Sequence, residues 1–272
     1  MHIRRILTAI VAAITLAQAT PIQVRSLTSS TSENAAAVAA ARKETRSQPA
    51  SYFHEASFSA RYDKRFASKP LNETAERDAL KVLVQTYLAT LGDLGVQTWL
   101  MHSSLLGWWW NKQILPWDST ADVQLTDNGI RFLAAYYNMT TYYYKYSSIP
   151  DGRFFQLEVN PNYFNQDKEA VDKGNDADAR WIDMDSGLFI DVTAEDYPEG
   201  AGALASKSGY EYRNTDLYPL LETTFEGVKA KIPYKYKEML ISEYGEKALT
   251  DKEFNNHKFI DNKMEWVPNA EL

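Results

Sequence analysis

Cysteine is absent from the 272 residues. Disulfides, thiolate nucleophiles and cysteine-ligated zinc are therefore excluded. Histidine is sparse: His2, His54, His102 and His257 are scattered along the chain, and a multi-histidine metal centre is not expected. Any metal must be held by oxygen, which selects magnesium or manganese. Positive charge is also in short supply, with 36 acidic against 29 basic residues and a formal net charge of −7. A general nucleic-acid binder needs a basic stripe to neutralise phosphates, so no nucleic-acid partner is expected. A nucleotide-linked substrate stays open, because a metal ion can mediate its phosphate contacts.

What is present supports a globular chain. The length allows one large domain or two small ones, and the hydrophobic fraction, 44 %, is ordinary for a globular protein. Seven Trp and 17 Tyr supply flat amphipathic rings. Such rings suit sugar stacking and equally fill cores, and most are read here as core.

The first 19 residues have the three parts of a secretory signal. Arg4 and Arg5 give the positive region, Ile6 to Leu16 a short apolar run, and Ala17-Gln18-Ala19 a small-x-small cleavage pattern. The run is short for a membrane span. A membrane association is expected only if this segment stays uncleaved as an anchor. Residues 20–51, rich in Ser, Thr, Ala and charge, read as a tether or pro-segment, with a transient helix between Asn34 and Arg46. Two sequons, Asn72-Glu73-Thr74 and Asn138-Met139-Thr140, are candidate N-glycosylation sites. Together these features point to the secretory pathway, either the Golgi lumen or secretion.

The folded part is expected over 52–268. Leu80, Leu83, Tyr87, Leu88 and Leu91 repeat at helical spacing, predicting a helix over 75–94 ended by Gly92 and Gly95. Strands are predicted at Val96–Met101, Ala121–Leu125, Phe154–Val159 and Leu188–Val192. A short helix or turn is predicted at Leu105–Asn111. Thr126 or Asp127 is placed to cap a helix running to about Tyr144. A further helix is predicted from about Tyr234 to Glu243, stopped by Gly245. Alternating helices and strands argue for an α/β or α+β domain.

The stretch from Thr98 to Gln124 carries the chemistry. A strand runs into a small-residue turn, a short helix, and a Pro-Trp-Asp loop that feeds a second strand. Small residues let backbone N–H groups approach phosphates. Carboxylates an even number of residues apart on a strand share a face and can grip one divalent ion. On spacing alone, two Asp separated by three residues also describe a solvated turn.

Here the sequence resembles the LicD/fukutin/fukutin-related family, in particular its fungal branch near the yeast mannosylphosphate-transfer proteins. Those carry a His-Gly-Ser-Leu-Leu-Gly-Trp-like segment and then Pro-Trp-Asp-x-Asp-x-Asp-Val-Gln. This chain has His102-Ser103-Ser104-Leu105-Leu106-Gly107-Trp108, then Pro116-Trp117-Asp118-Ser119-Thr120-Ala121-Asp122-Val123-Gln124. The likeness continues through Val159-Asn160-Pro161, Ala179-Arg180-Trp181-Ile182-Asp183, Gly187 to Val192, Tyr218-Pro219-Leu220 and Glu243-Tyr244-Gly245.

The resemblance implies a nucleotidyltransferase-like mixed sheet with flanking helices, and a divalent metal. It implies nucleotide-activated donors of the GDP-mannose, CDP-choline or CDP-polyol type, and a glycan or glycoprotein acceptor. Asp118 and Asp122 are the implied metal ligands, with Asp191 as a third carboxylate serving as ligand or as base for the acceptor hydroxyl. Ser103, Ser104, Gly107, Arg180 and Asp183 are the implied substrate contacts, a structural Arg180–Asp183 ion pair being the alternative for the last two. Thr120 stands where the family has its middle Asp, and Ser103 where it has Gly. These departures leave open a non-catalytic relative, or a secreted glycan-binding protein using the same cleft.

Several prominent residues have bland readings. His102 reads as a hydrogen-bonded structural residue. Three consecutive Trp on a helix, Trp108 to Trp110, face different directions, so at least one is expected in the core. Tyr142 to Tyr144 read as packing, and Lys235 and Lys237 as a solvated face.

Overall fold

The computed structural model describes residues 22–24, 51–164, 177–195, 204–205 and 210–271. The expected signal segment, 1–19, and most of the expected tether lie outside them. Ile22–Val24, within the tether stretch, forms strand β1. A short hairpin follows, β2 (Glu55–Ala56) and β3 (Ser59–Asp63).

Asn72 opens the first helix, α1 (Glu73–Asp93). Its side-chain oxygen accepts from the Ala75 N–H at 2.9 Å, and Glu73 and Glu76 put negative charge in the first turn. Both features favour a helix N-terminus. Leu80, Leu83, Tyr87, Leu88 and Leu91 are all buried on one side of α1. The helix passes through Gly92, and Gly95, with φ of 70°, turns the chain into strand β4 (Thr98–Leu100). Helix α2 (His102–Asn111) follows at once, then a loop, then β5 (Val123–Thr126).

Thr126 caps α3 (Asp127–Tyr136), its hydroxyl accepting from the Gly129 N–H at 2.9 Å. The expected continuation of this helix to Tyr144 does not occur. Met139 adopts φ of 59° and reverses the chain, and Thr140–Tyr146 becomes strand β6. Consecutive Thr and Tyr favour a pleated surface over a helix. Tyr142 and Tyr144 are buried while Tyr143 is not, the period of two that a strand imposes.

Strands β7 (Ile149–Val159), β8 (Ala179–Asp183) and β9 (Phe189–Glu195) complete the main sheet. Its order is β1-β6-β7-β8-β9-β5-β4, antiparallel except for the β5–β9 pair. This is a mixed sheet in an α+β domain. One face packs on α1: the Trp181 indole N–H donates to Thr86 at 3.0 Å, and Tyr87 and Thr98 share a hydrogen bond of 2.8 Å.

The remaining elements close around the β4 side. They are a hairpin of β10 (Leu204–Ala205) with β11 (Glu211–Tyr212), one turn of helix α4 (Asn214–Leu217), and a hairpin of β12 (Leu221–Phe225) with β13 (Val228–Ile232). Helix α5 (Tyr236–Tyr244) comes next, matching the expected C-terminal helix and stopping at Gly245. A three-strand meander of β14 (Glu253–Phe254), β15 (His257–Ile260) and β16 (Glu265–Pro268) ends the fold. Among the described residues, no helix is long and apolar enough to cross a membrane.

Candidate functional site

The tight β4–α2 connection decides the geometry of the site. Met101 precedes α2 and offers no side-chain cap, so the first helical N–H groups need a partner from elsewhere. Asp122 supplies it from just before β5. Its Oδ2 accepts from the Ser103 N–H at 3.2 Å and the Ser103 hydroxyl at 2.8 Å. Its own N–H donates to Ser104 Oγ at 2.8 Å, and its carbonyl accepts from the Met101 N–H at 3.0 Å. Four hydrogen bonds thus lock Asp122 at the positive end of α2. The Ser103 hydroxyl is spent on this carboxylate, and Ser104 Oγ on the Asp122 backbone N–H. The serine standing where the family has glycine adds one of these bonds.

Asp118 lies in the turn that leads to β5, its N–H donating to the Leu115 carbonyl at 2.9 Å. Burial pushes its carboxyl up to about 6, Ser103 opposing and the Asp122 charge adding to the rise. No Lys or Arg pairs with Asp118 or Asp122 among the described residues; the Ser103 hydrogen bonds and the start of α2 offset the Asp122 charge only in part. The strand expected from Ala121 begins at Val123. Asp118, Thr120 and Asp122 therefore sit in a loop, and a period-of-two register does not bring them together. Thr120 is exposed at a bend of that loop.

Strand register extends the site across the sheet. Val123 pairs with Val192, which sets Asp122 beside Asp191 on the same face. Asp191 pairs across the sheet with Arg180, and Arg180 with Glu158. A transverse row of charged side chains results, on the face opposite α1. Arg180 is 3 % exposed. Its Nε donates to Asp191 at 2.7 Å and its Nη2 to Glu55 at 2.9 Å. The rings of Phe53 and Phe189 flank its guanidinium, with centroids 4.4 and 3.7 Å from Cζ. Asp191 is 47 % exposed beside this contact. Glu158 is held by Arg65, which also grips Asp63.

Two further expected substrate contacts have structural surroundings. Asp183 is wholly buried on the α1 side of β8, one face away from Arg180, and the alternative Arg180–Asp183 pair does not form. Arg153 at 2.9 Å and the Ser186 hydroxyl at 2.8 Å hold it instead. Gly107 is buried in α2 where a Cβ would stand 2.3 Å from the Gln113 carbonyl oxygen. Its missing side chain admits that carbonyl and lets the loop pack back on the helix.

His102 carries φ of 47° at the start of α2, and its Nδ1 is 2.9 Å from Glu243. Glu243 also accepts from the Tyr212 hydroxyl. Burial works against the imidazolium. The Glu243 hydrogen bond and charge, with Asp122 and Glu195 adding, overcome it and raise the His102 pKa. The structural reading of His102 matches this arrangement. All three tryptophans of α2 are half-buried, each tied to a different partner: Trp108 to Thr223, Trp109 to the Leu249 carbonyl, Trp110 to the Ala248 carbonyl. Asn72 and Asn138 are exposed. Asn138 Oδ1 accepts from the Val159 N–H at 2.8 Å, leaving its amide nitrogen for a glycan.

Sequence reasoning did not find the cleft that opens from Asp118 and Ser103. It encloses about 340 Å³ between α2 and the C-terminal meander, with Trp117, Phe254 and Trp266 among its walls. No local signal marks it, because its walls come from segments far apart in the chain. Glu55, Glu158 and Arg65 were missed for the same reason. Among the described residues, no three His, Asp or Glu side chains converge closely enough to enclose a metal ion by themselves.

Mannosyltransferase regulator 4 of Saccharomyces cerevisiae is 28 % identical over 158 residues, 52 % of this chain and 13 % of that protein. Mannosyltransferase regulator 14 of the same yeast is 30 % identical over 141 residues, 48 % of this chain and 14 % of that protein. The chain thus spans a small part of the length of these curated relatives. The family described as LicD/FKTN/FKRP, nucleotidyltransferase domain, matches residues 95–235, which include β4, α2, Asp118, Asp122 and the row through Arg180 and Asp191. With just over half of its length matched and the motif-bearing elements assembled in one place, the chain belongs to the LicD/FKTN/FKRP nucleotidyltransferase-domain family.

Proposed function

We propose that the chain acts in glycosylation within the secretory pathway. It transfers a phosphate-linked group from a nucleotide-activated donor, of the GDP-mannose, CDP-choline or CDP-polyol type, to a glycan. One observation carries this reading: a carboxylate pair without a Lys or Arg partner, Asp118 and Asp122, sits at the positive end of α2 beside Asp191. Such a pair fits a divalent cation, magnesium or manganese, whose charge would offset theirs. The donor phosphates and water would complete its shell. A cation at this position neutralises charge on a transferred phosphoryl group.

The chain's own groups have definable tasks under this reading. The start of α2 favours phosphate oxygens through its dipole. Ser103 and Ser104 fix Asp122 so that no reorganisation is needed when the donor arrives. Asp191 offers a half-exposed oxygen to the acceptor hydroxyl as base, and Arg180 fixes its orientation. The names of the curated relatives support a glycan setting, since both are regulators of a mannosyltransferase by name. Those names, with Thr120 in place of a third carboxylate, also favour a second reading: a non-catalytic family member that binds donor or glycan and regulates a true transferase.

The test is a thermal-shift and turnover screen of CDP- and GDP-linked donors with and without manganese. The wild type should gain several degrees in Tm with manganese by mass action, roughly what 100 Kd of ligand gives a domain of this size. Asp122→Asn, which keeps an acceptor for Ser103 but loses the charge, should lose that gain. Metal and donor binding without turnover supports the regulatory reading. A wild type indifferent to manganese and to every donor sinks both.

A further inference from the structure

We infer that the cleft opening from Asp118 is a subsite for the sugar ring of a neutral acceptor glycan, built by the C-terminal meander. The family match ends at residue 235, whereas the outer wall of the cleft comes from residues beyond it. The matched residues therefore supply the inner wall of the cleft but not its outer one.

Four observations converge. The volume, about 340 Å³, lies at the small end of ligand sites and suits a single ring system better than a whole nucleotide-sugar. The wall is aromatic: Trp117 lies 5.3 Å from Phe254 and 5.0 Å from Trp266, ring centre to ring centre. Phe254 is 62 % exposed, an apolar face held open in solvent where the C–H face of a pyranose can cover it. Trp266 is 8 % exposed, yet its indole N–H has no acceptor among the described residues. A buried donor without an acceptor is costly, and a small turn of the indole toward the cleft on binding would give it a sugar hydroxyl.

Charge selects the class of ligand. Asp118 and Asp251 line the cleft against one lysine, Lys247, while Glu253 is held by Lys258 at 3.1 Å. The balance is negative. It disfavours a phosphate or pyrophosphate and favours hydroxyl groups that donate to carboxylates. A cation on the Asp118–Asp122 pair would offset Asp118 but leave Asp251 in place, so the outer part of the cleft, away from the pair, suits the acceptor better than the nucleotide of a donor.

The inference rests on the transferase reading for the purpose of the sugar, not for its binding. The test uses the full chain in EDTA, without metal or donor. Tryptophan fluorescence and saturation-transfer NMR are read against mannotriose and cellotriose, with CDP and GDP as competitors. At least one neutral trisaccharide should bind. Phe254→Ala should weaken it by about tenfold with Tm unchanged, and Trp266→Phe by about fivefold, the scale expected for one stacking face or one hydrogen bond. Absence of binding by both sugars, unchanged binding in Phe254→Ala, or displacement of the sugar by CDP or GDP would each overturn the inference. A chain that binds the sugar but transfers nothing refutes the transferase reading alone. A chain that transfers with the same acceptor KM in Phe254→Ala refutes the acceptor cleft alone.

Discussion

His102 holds a left-handed φ of 47° that few residues other than glycine adopt at low cost, and it does so at the first turn of the helix that caps the site. Its compensation is the contact with Glu243, 2.9 Å away on α5. The pairing ties the start of α2 to a helix 141 positions along the chain. Its energetic effect has a definite sign with pH. The folded pKa of His102 lies above its unfolded value of 6.5, so the contribution to stability is fully present below that value. It is lost as pH rises through the higher folded pKa. Urea unfolding from pH 5.5 to 9 should show this decline in the wild type. Glu243→Gln should flatten it and cost about 1–3 kcal/mol at the acid end, where a charged hydrogen bond is lost. A wild-type stability that climbs through this window would contradict the assignment.

Helix α2 is where sequence and packing make opposite demands. Alanine is a better helix former than glycine by about 1 kcal/mol. At Gly107 that gain is outweighed, because the added Cβ would stand 2.3 Å from Gln113 O and 3.3 Å from Leu115 N, both backbone atoms. Gly107→Ala should therefore destabilise by about 1–3 kcal/mol, as overpacking does. Gly92, in α1 with nothing within 4 Å of its added Cβ, supplies the control. Gly92→Ala should be neutral or stabilising by up to about 1 kcal/mol. Equal signs for the two substitutions in denaturant melts would mean that the Gln113 carbonyl moves freely.

Elements also differ in how far the sequence disclosed them. The period of Leu80 to Leu91 is set by burial on one side, so α1 was legible. Tyr142 to Tyr144 carry hydrophobicity at every position and no helical period, so β6 was absorbed into the preceding helix. Asp118 and Asp122 stood out through motif likeness. Their loop geometry did not, because β5 begins where pairing to β4 and β9 begins, a long-range event.

At the scale of the molecule, the family match stops at residue 235 but the packing does not. Met239 and Leu240 on α5 are buried, Leu240 in the main core and Met239 with Trp99 and Met101, directly beneath the start of α2. Leu249 adds to the main core, and the Leu249 and Ala248 carbonyls accept from Trp109 and Trp110. Each such apolar side chain contributes roughly 1.5–3 kcal/mol when buried. Three of them together approach the whole net stability of a typical domain, about 5–15 kcal/mol. The C-terminal segment is therefore integral to the site-bearing domain. A chain of residues 51–235 should lack cooperative thermal unfolding and show weak near-UV circular dichroism, although it keeps six of the seven tryptophans. Residues 51–271 should unfold cooperatively. Cooperative unfolding of the shorter chain, at a Tm near that of the longer one, would show that the core closes without α5. In that case the Glu243 contact to His102 and the cleft would be additions to a self-sufficient domain.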